Sequence, residues 1–421
     1  MASPIASSSS GSTERPFTVA VPQADIDLLR AKLALTRLPD ELDGAGWTYG
    51  APLADVRRLA ARWGSAFDWR AAEGAINAIP MYTRDVEVAG HGTLNVHYIH
   101  RTSAVRGAIP LLFVHGWPGH FLEVRKLLPL LAAGPEGSPS FHVVAPSLPG
   151  FGFSEAPRKP GFGGRQYAEL LNKLMLSLGY EEYVYQGGDW GHMLGACTAA
   201  EYGHTHLKAW HTNIPISSGP PSFLSHPLAY LRNLLPYDNE TRTRLQVTAR
   251  HNAQGSGYMI EQATKPQTIG YSLADSPVGL LAWIYEKLVA WTDGYPWTDD
   301  EVLEWVSIYW FSRAGPAASV RIYYEMTGGH GKSEEALARM GKVAGPVPVG
   351  LSYFPRELFH VPKWWACTLG AVVFVGEHGK GGHFAAHEQP EALVGDLRTM
   401  FGRGGGAYGA VSGKDGYAKS G

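Results

Sequence analysis

Near the middle of this 421-residue chain an apolar run, Tyr183-Val184-Tyr185, meets the pentapeptide Gly187-Gly188-Asp189-Trp190-Gly191, and a small-residue stretch follows from 193 to 202. The run has the length of a buried strand and the stretch the composition of a packed helix, so the five residues must turn the chain sharply between them. Glycines at both ends fit the crowding of such a turn. Small-x-nucleophile-x-small is the pattern of a strand–turn–helix elbow, which exposes one reactive side chain at its tip. That side chain is commonly Ser or Cys; here it is Asp189. A carboxylate that attacks carbon forms an ester rather than an activated acyl group. Asp189 therefore points to ring opening or displacement at saturated carbon, with later hydrolysis of the ester.

The flanking sequence has the alternation that an elbow of this kind requires. Residues 86–88 and 94–99 read as a strand pair, and 109–114 as a short, continuously apolar strand suited to burial in a parallel sheet. A helix over 121–131, a strand over 141–145, a helix over 166–178 and strands over 183–186 and 207–212 complete a βαβ series. From about 216 to 345 the alternation stops and the chain becomes rich in Pro, aromatics and helical patterns, with helices expected over 276–291 and 300–311. It resumes with strands over 347–354 and 371–375 and a last helix over 390–400. The expected plan is a mostly parallel eight-stranded core (85–215 and 346–403) interrupted after its sixth strand by a helical lid (216–345). Ahead of it lies a helical N-terminal segment (16–84), with amphipathic helices over 25–38 and 53–67. The Ser- and Ala-rich residues 1–15 read as a disordered N-terminus, and the Gly-rich, polar residues 404–421 as a flexible tail.

Bulk properties narrow the function. A formal charge of −2 gives no reason to expect nucleic acid or an anionic membrane as partner. Two cysteines, Cys197 and Cys367, argue against a disulfide framework and suit a reducing compartment. The N-terminus has neither a signal peptide nor a membrane anchor, and no stretch reaches 18 uninterrupted apolar residues, so a cytoplasmic protein is expected. No Cys or His cluster has metal-ligand spacing, and no metal or organic cofactor is expected.

Three further segments fit one mechanism. His115-Gly116-Trp117-Pro118-Gly119 follows a buried strand, where Gly and Pro can shape a turn that aims a backbone N–H into a site. In the α/β-hydrolase plan the oxyanion hole takes one N–H from such a loop and one from the residue after the nucleophile, here Trp117 and Trp190. Gly381-Gly382-His383 lies between the last strand and the last helix, where the plan places its base; His378 and His387 are the neighbouring alternatives. The acid that orients the histidine should follow the penultimate strand, which selects Glu357 over Glu377.

With these motifs the chain resembles the microsomal-type epoxide hydrolases, a group that includes the juvenile hormone epoxide hydrolases and soluble microbial relatives. The resemblance runs from about 16 to 403. It rests on His115–Gly119, Gly187–Gly191 and 381–386, on 264–270 and 275–279, and on Trp47-Thr48-Tyr49-Gly50 and Asp68-Trp69-Arg70. It implies an α/β-hydrolase core with an N-terminal segment that wraps the core and steadies a helical lid. It also implies two lid tyrosines that activate the epoxide oxygen. They correspond to Tyr258, in a Gly-Tyr pair before Thr264-Lys265-Pro266, and to Tyr323, in Arg321-Ile322-Tyr323, with Tyr324 adjacent. The implied catalytic set is Asp189, His383, Glu357, Tyr258 and Tyr323, acting on a small-molecule epoxide; a homodimer is compatible with the group. A haloalkane dehalogenase shares the Asp nucleophile and His base but needs N–H donors for halide rather than phenols. A non-catalytic binding protein of the same fold would have no use for all three of Asp189, Glu357 and His383. One departure is His192, where the group commonly has Ser.

Overall fold

The computed structural model describes residues 14–134, 137–217, 219–329 and 347–418. Most of the expected disordered N-terminus (1–13), the end of the expected lid (330–345) and the end of the expected tail (419–421) lie outside the described residues. The N-terminal segment begins with a two-residue strand, β1 (Arg15–Pro16), and three helices, α1 (Gln23–Ala34), α2 (Leu53–Ser65) and α3 (Trp69–Asn77). Each helix buries an apolar stripe at helical spacing: Ile26, Leu29 and Leu33 on α1, and Val56, Leu59 and Trp63 on α2. Asp68 caps α3, its side chain accepting from the Ala71 N–H at 3.0 Å.

The core follows as β2 (Met81–Val88), β3 (Gly92–Arg101), β4 (Ile109–Val114), α4 (Leu128–Ala132), β5 (Phe141–Pro146), α5 (Gly164–Ser177), β6 (Tyr183–Gly187), α6 (Trp190–Tyr202) and β7 (Leu207–Thr212). The lid contributes α7 (Pro227–Arg232), α8 (Asn239–Arg250), α9 (Gly257–Thr264), α10 (Pro266–Asp275), α11 (Pro277–Ala290), α12 (Asp299–Trp310) and α13 (Arg321–Thr327). The chain then returns to the core with β8 (Pro348–Tyr353), β9 (Ala371–Glu377), α14 (Ala385–Glu388) and α15 (Pro390–Phe401).

Among the described residues the sheet has nine strands in the order β1-β2-β3-β5-β4-β6-β7-β8-β9, one more than the eight expected. The extra strand pairs Arg15 with Thr83 and Pro16 with Tyr82 and is too short to leave a periodicity in the sequence. It also draws Arg15 out of the disordered stretch expected over 1–15. The strands from β5 to β9 run parallel, while β1, β2 and β3 form the antiparallel edge. All six residues of β4 are buried, as a strand covered on both faces requires. From β4 the chain moves outward to β5 on one side, then crosses to β6 on the other. This reversal opens a crevice beyond the carboxyl ends of β4 and β6, where open parallel sheets bind ligands.

Residues 404–418 do not form a free tail. Ala407, Val411 and Tyr417 are buried, the Ser140 N–H donates to Gly416 O at 2.8 Å, and the Gly416 N–H donates to Gly107 O at 2.7 Å. Glycine composition suggested flexibility, but Gly405 and Gly406 lie so close to Met400 and Val373 that any side chain there would collide with their backbone. These glycines serve close packing against α15 and β9.

The N-terminal segment grips the lid from outside. Arg62 forms a forked pair with Asp300 at 2.7 and 2.8 Å, Arg58 pairs with Asp299, and the Trp63 indole N–H donates to Ser307 Oγ at 3.0 Å. Trp69 packs on Phe311 with ring centroids 4.9 Å apart. The exposed ion pairs add little individually; the buried indole bond and ring contacts fix the registration of α2 against α12.

Candidate active site

Asp189 occupies the turn between β6 and α6 with φ 49° and ψ −126°, the only non-glycine residue at positive φ among the described residues. A side chain there costs conformational energy, which the surrounding packing must offset. Little room is left for alternatives: a Cβ at Gly187 would meet the backbone of Gly191, one at Gly191 the Val114 carbonyl, and one at Gly116 the Asp189 carboxylate itself.

The loop after β4 faces this turn. The Trp117 N–H donates to Asp189 Oδ1 at 2.8 Å. His115 holds the loop in place: its Nδ1–H donates to Gly116 O at 2.9 Å and its Nε2 accepts from the Leu148 N–H at 3.1 Å. Burial lowers the His115 pKa to about 4, so it remains the neutral tautomer that this bonding requires. The Trp117–Pro118 peptide is cis. Trp190 is the first residue of α6, so its N–H belongs to the free N-terminal set of that helix.

From the far side, His383 presents Nε2 to Asp189 Oδ2 at 3.4 Å and donates from Nδ1 to Glu357 Oε1 at 2.9 Å. Both His383 and Glu357 are buried. Burial alone would lower the imidazole pKa, but Glu357 and Asp189 more than offset it and raise it well above the ordinary histidine range. The neighbouring alternatives are engaged elsewhere: His378 with Asp396 at 2.6 Å, His387 near Glu301 at 3.6 Å, and Glu377 with Lys363 at 2.7 Å. His192, the departure from the group, is buried beside Thr212 Oγ1 at 3.1 Å, and burial takes its pKa to about 4. It is thus a neutral group behind the elbow.

The lid supplies the roof. Tyr258 on α9 stacks on Trp117 with centroids 5.3 Å apart, and Tyr323 on α13 meets Trp190 edge-on at 4.8 Å. The two phenol rings lie 5.9 Å apart. Tyr323 is 1% exposed whereas Tyr324, one step round the helix, is 41% exposed and points away. Burial, reinforced by nearby Asp189 and, at Tyr323, by the neighbouring phenol, raises both Tyr258 and Tyr323 well above the ordinary phenol range, so both stay neutral.

Sequence reasoning missed the residues that join lid to core. The Trp305 indole N–H donates to Pro118 O at 2.6 Å and the Tyr309 hydroxyl donates to Gly119 O, so α12 pins the loop that carries Trp117. Trp291, just after α11, accepts the His383 N–H on its carbonyl at 2.9 Å and sets its ring 5.0 Å from the imidazole. Glu388 accepts from the Gly382 and Asp293 N–H groups, at 3.1 and 2.8 Å, and so ties the histidine loop to the lid. These aromatic spacings are equally those of ordinary helix packing, so the sequence offered no separate signal. Among the described residues no group of three or more His, Cys, Asp and Glu could hold a metal ion, and no helix is long and apolar enough to cross a membrane.

Comparison with known proteins shows the family. The epoxide hydrolase N-terminus family matches residues 14–124, and the α/β-hydrolase fold family matches residues 109–259. A protein of Stigmatella aurantiaca is 40% identical over 397 residues, covering 92% of this chain and 84% of its own. Epoxide hydrolase 1 of Sus scrofa is 35% identical, over 92% of this chain and 88% of its own. The solved structure of Aspergillus niger epoxide hydrolase superposes with a TM-score of 0.76 at 32% identity, covering 91% of this chain and 95% of that one. An Asp at the elbow, a lid over it and an N-terminal segment that grips the lid thus accompany close similarity over most of the chain, and the protein belongs to the epoxide hydrolase family and is an epoxide hydrolase.

Proposed function

We propose that the enzyme converts an apolar epoxide and water into a vicinal diol through a covalent ester on Asp189. The observation that carries this reading is the position of the Asp189 carboxylate. Oδ1 is held by the Trp117 N–H, Oδ2 lies beside His383 Nε2, and two neutral phenols stand on the lid side. Oδ2 attacks an epoxide carbon while the C–O bond opposite it breaks. The departing oxygen would be an alkoxide, a poor leaving group unless a donor meets it. Tyr258 and Tyr323 donate to that oxygen and one of them protonates it; proton transfer of this kind is typically worth about 10²–10⁴-fold. The aromatic walls formed by Trp117, Tyr258, Trp291 and Tyr323 favour an apolar substituent on the ring.

The second step follows from the change in charge. Before reaction His383 lies between two carboxylates, which favours the imidazolium. Esterification removes the charge of Asp189, so the imidazolium binds its proton less tightly; that proton passes to the phenolate left by the first step, and the neutral imidazole becomes available as a base. It takes a proton from water, whose oxygen attacks Asp189 Cγ. The electron pair moves onto Oδ1, which already accepts from the Trp117 N–H, and the Trp190 N–H is the second donor in this reading; loss of one such donor typically costs about 10²–10³-fold. Collapse of this intermediate breaks the bond to the diol oxygen, which takes the proton from His383; the Asp189 carboxyl group so formed then gives its proton to the imidazole, which restores the carboxylate and the imidazolium.

The test uses His383→Gln incubated with styrene oxide and measured by intact mass and peptide mapping. The expected result is accumulation of a whole-epoxide adduct on Asp189. A wild-type enzyme that forms diol while no variant ever carries an adduct would overturn the ester mechanism.

A further inference from the structure

Beside Asp189 on the core side lies a cavity of about 10 Å³, lined among others by Trp117, Glu123, Gln186, Asn213, Asp189 and His383. A single water needs about 10–15 Å³ and two to four polar partners. Two groups in its wall have no part in the mechanism above. Gln186, 1% exposed, donates its Nε2 to Asn213 Oδ1 at 2.9 Å, and its Oε1 is buried without a partner among the described residues. Glu123 lies in the 3₁₀ turn Phe121–Val124 just after the Trp117 loop and folds its carboxyl back over Gly119. A Cβ at Gly119 would collide with Glu123 Oε1, and one at Gly188 with the Asn213 amide, so glycines keep this wall open for polar side chains.

We propose that Glu123 and Gln186 hold the water that hydrolyses the Asp189 ester, an inference that rests on the ester mechanism above. The water gives one hydrogen to Gln186 Oε1 and directs the other at His383 Nε2. Burial pushes the Glu123 pKa up to about 8, so near neutral pH its carboxyl is protonated and donates to one water lone pair. The remaining lone pair faces Asp189 Cγ. During attack the O–H bond towards His383 breaks as the O–Cγ bond forms; Glu123 and Gln186 keep their protons and act by positioning. A structural role would tie the two side chains to the protein frame alone and affect both chemical steps alike.

Single-turnover quench experiments with styrene oxide on the full chain separate the steps. For both Glu123→Met and Gln186→Met, ester formation should stay within about twofold of wild type while ester hydrolysis slows at least tenfold, so that the ester accumulates. Hydrolysis within twofold of wild type, or a proportional fall of both steps, would overturn the proposal. If Glu123→Met does not fold, Gln186→Met carries the test alone. Absence of any ester in His383→Gln would instead remove the mechanism on which the inference rests.

Discussion

On the core side of the site, Asp189, Trp117 and His383 are placed by backbone geometry: a turn at positive φ, a loop tied down by His115, and glycines too crowded to accept a side chain. On the lid side, Tyr258 and Tyr323 are placed by ring packing, against Trp117, Trp190 and Trp291. Backbone placement is all-or-none, because a steric clash does not yield by degrees. Ring packing is graded, because aromatic faces can slide at small cost. In the proposed mechanism the core side therefore holds the group whose bond must form along one line, and the lid side holds donors that need only reach an oxygen.

The contrast can be broken most severely at Asp189. Asp189→Ala should reduce diol formation by about 10⁴-fold or more, as loss of a nucleophile does elsewhere, with the fold intact by circular dichroism. Activity within tenfold of wild type would show that the carboxylate is not the attacking group. On the lid side, Tyr258→Phe and Tyr323→Phe should each slow ester formation by up to about 10²-fold, and the double variant by more, within the range of about 10²–10⁴ for proton donors. Because two phenols share the task, each single loss should be smaller than that of Asp189. Equal rates for the variants and wild type in stopped-flow ester formation would remove the phenols from the chemistry.

Trp305→Phe probes the seam between the two sides. It deletes the indole donor to Pro118 O while keeping a ring, and should lower kcat on the order of tenfold, less than the roughly 10² that a 1 Å misplacement can cost. The smallest effect is expected outside the site. Trp63→Phe leaves Ser307 Oγ without its donor and should cost about 1–3 kcal/mol of stability in denaturant unfolding, with kcat near wild type. A large loss of kcat there would show that the N-terminal segment sets the lid position during turnover and does not merely stabilise it.

The legibility of the site follows the same division. Asp189 and Trp117 were readable because an elbow and a post-strand loop are local patterns, fixed by a few consecutive residues. His383 and Glu357 were readable from their order relative to predicted strands, although the sequence left His378, His387 and Glu377 beside them. Tyr258 and Tyr323 came only from family resemblance, since nothing in a lid helix distinguishes a donor phenol from a packed one. Glu123 gave no signal at all: its carboxyl reaches the site by folding back over Gly119, a contact that no spacing rule describes.

The sequence by itself determined the alternating core, the place of the lid and the aspartate at the elbow, because strand period, glycine crowding and motif order are local properties of the chain. The ninth strand, the packing of 404–418, the inward turn of Tyr323 rather than Tyr324 and the polar wall around Glu123 were decided only by the tertiary structure. Each depends on which surfaces meet across long stretches of chain, where burial and steric fit, rather than local preference, select the conformation.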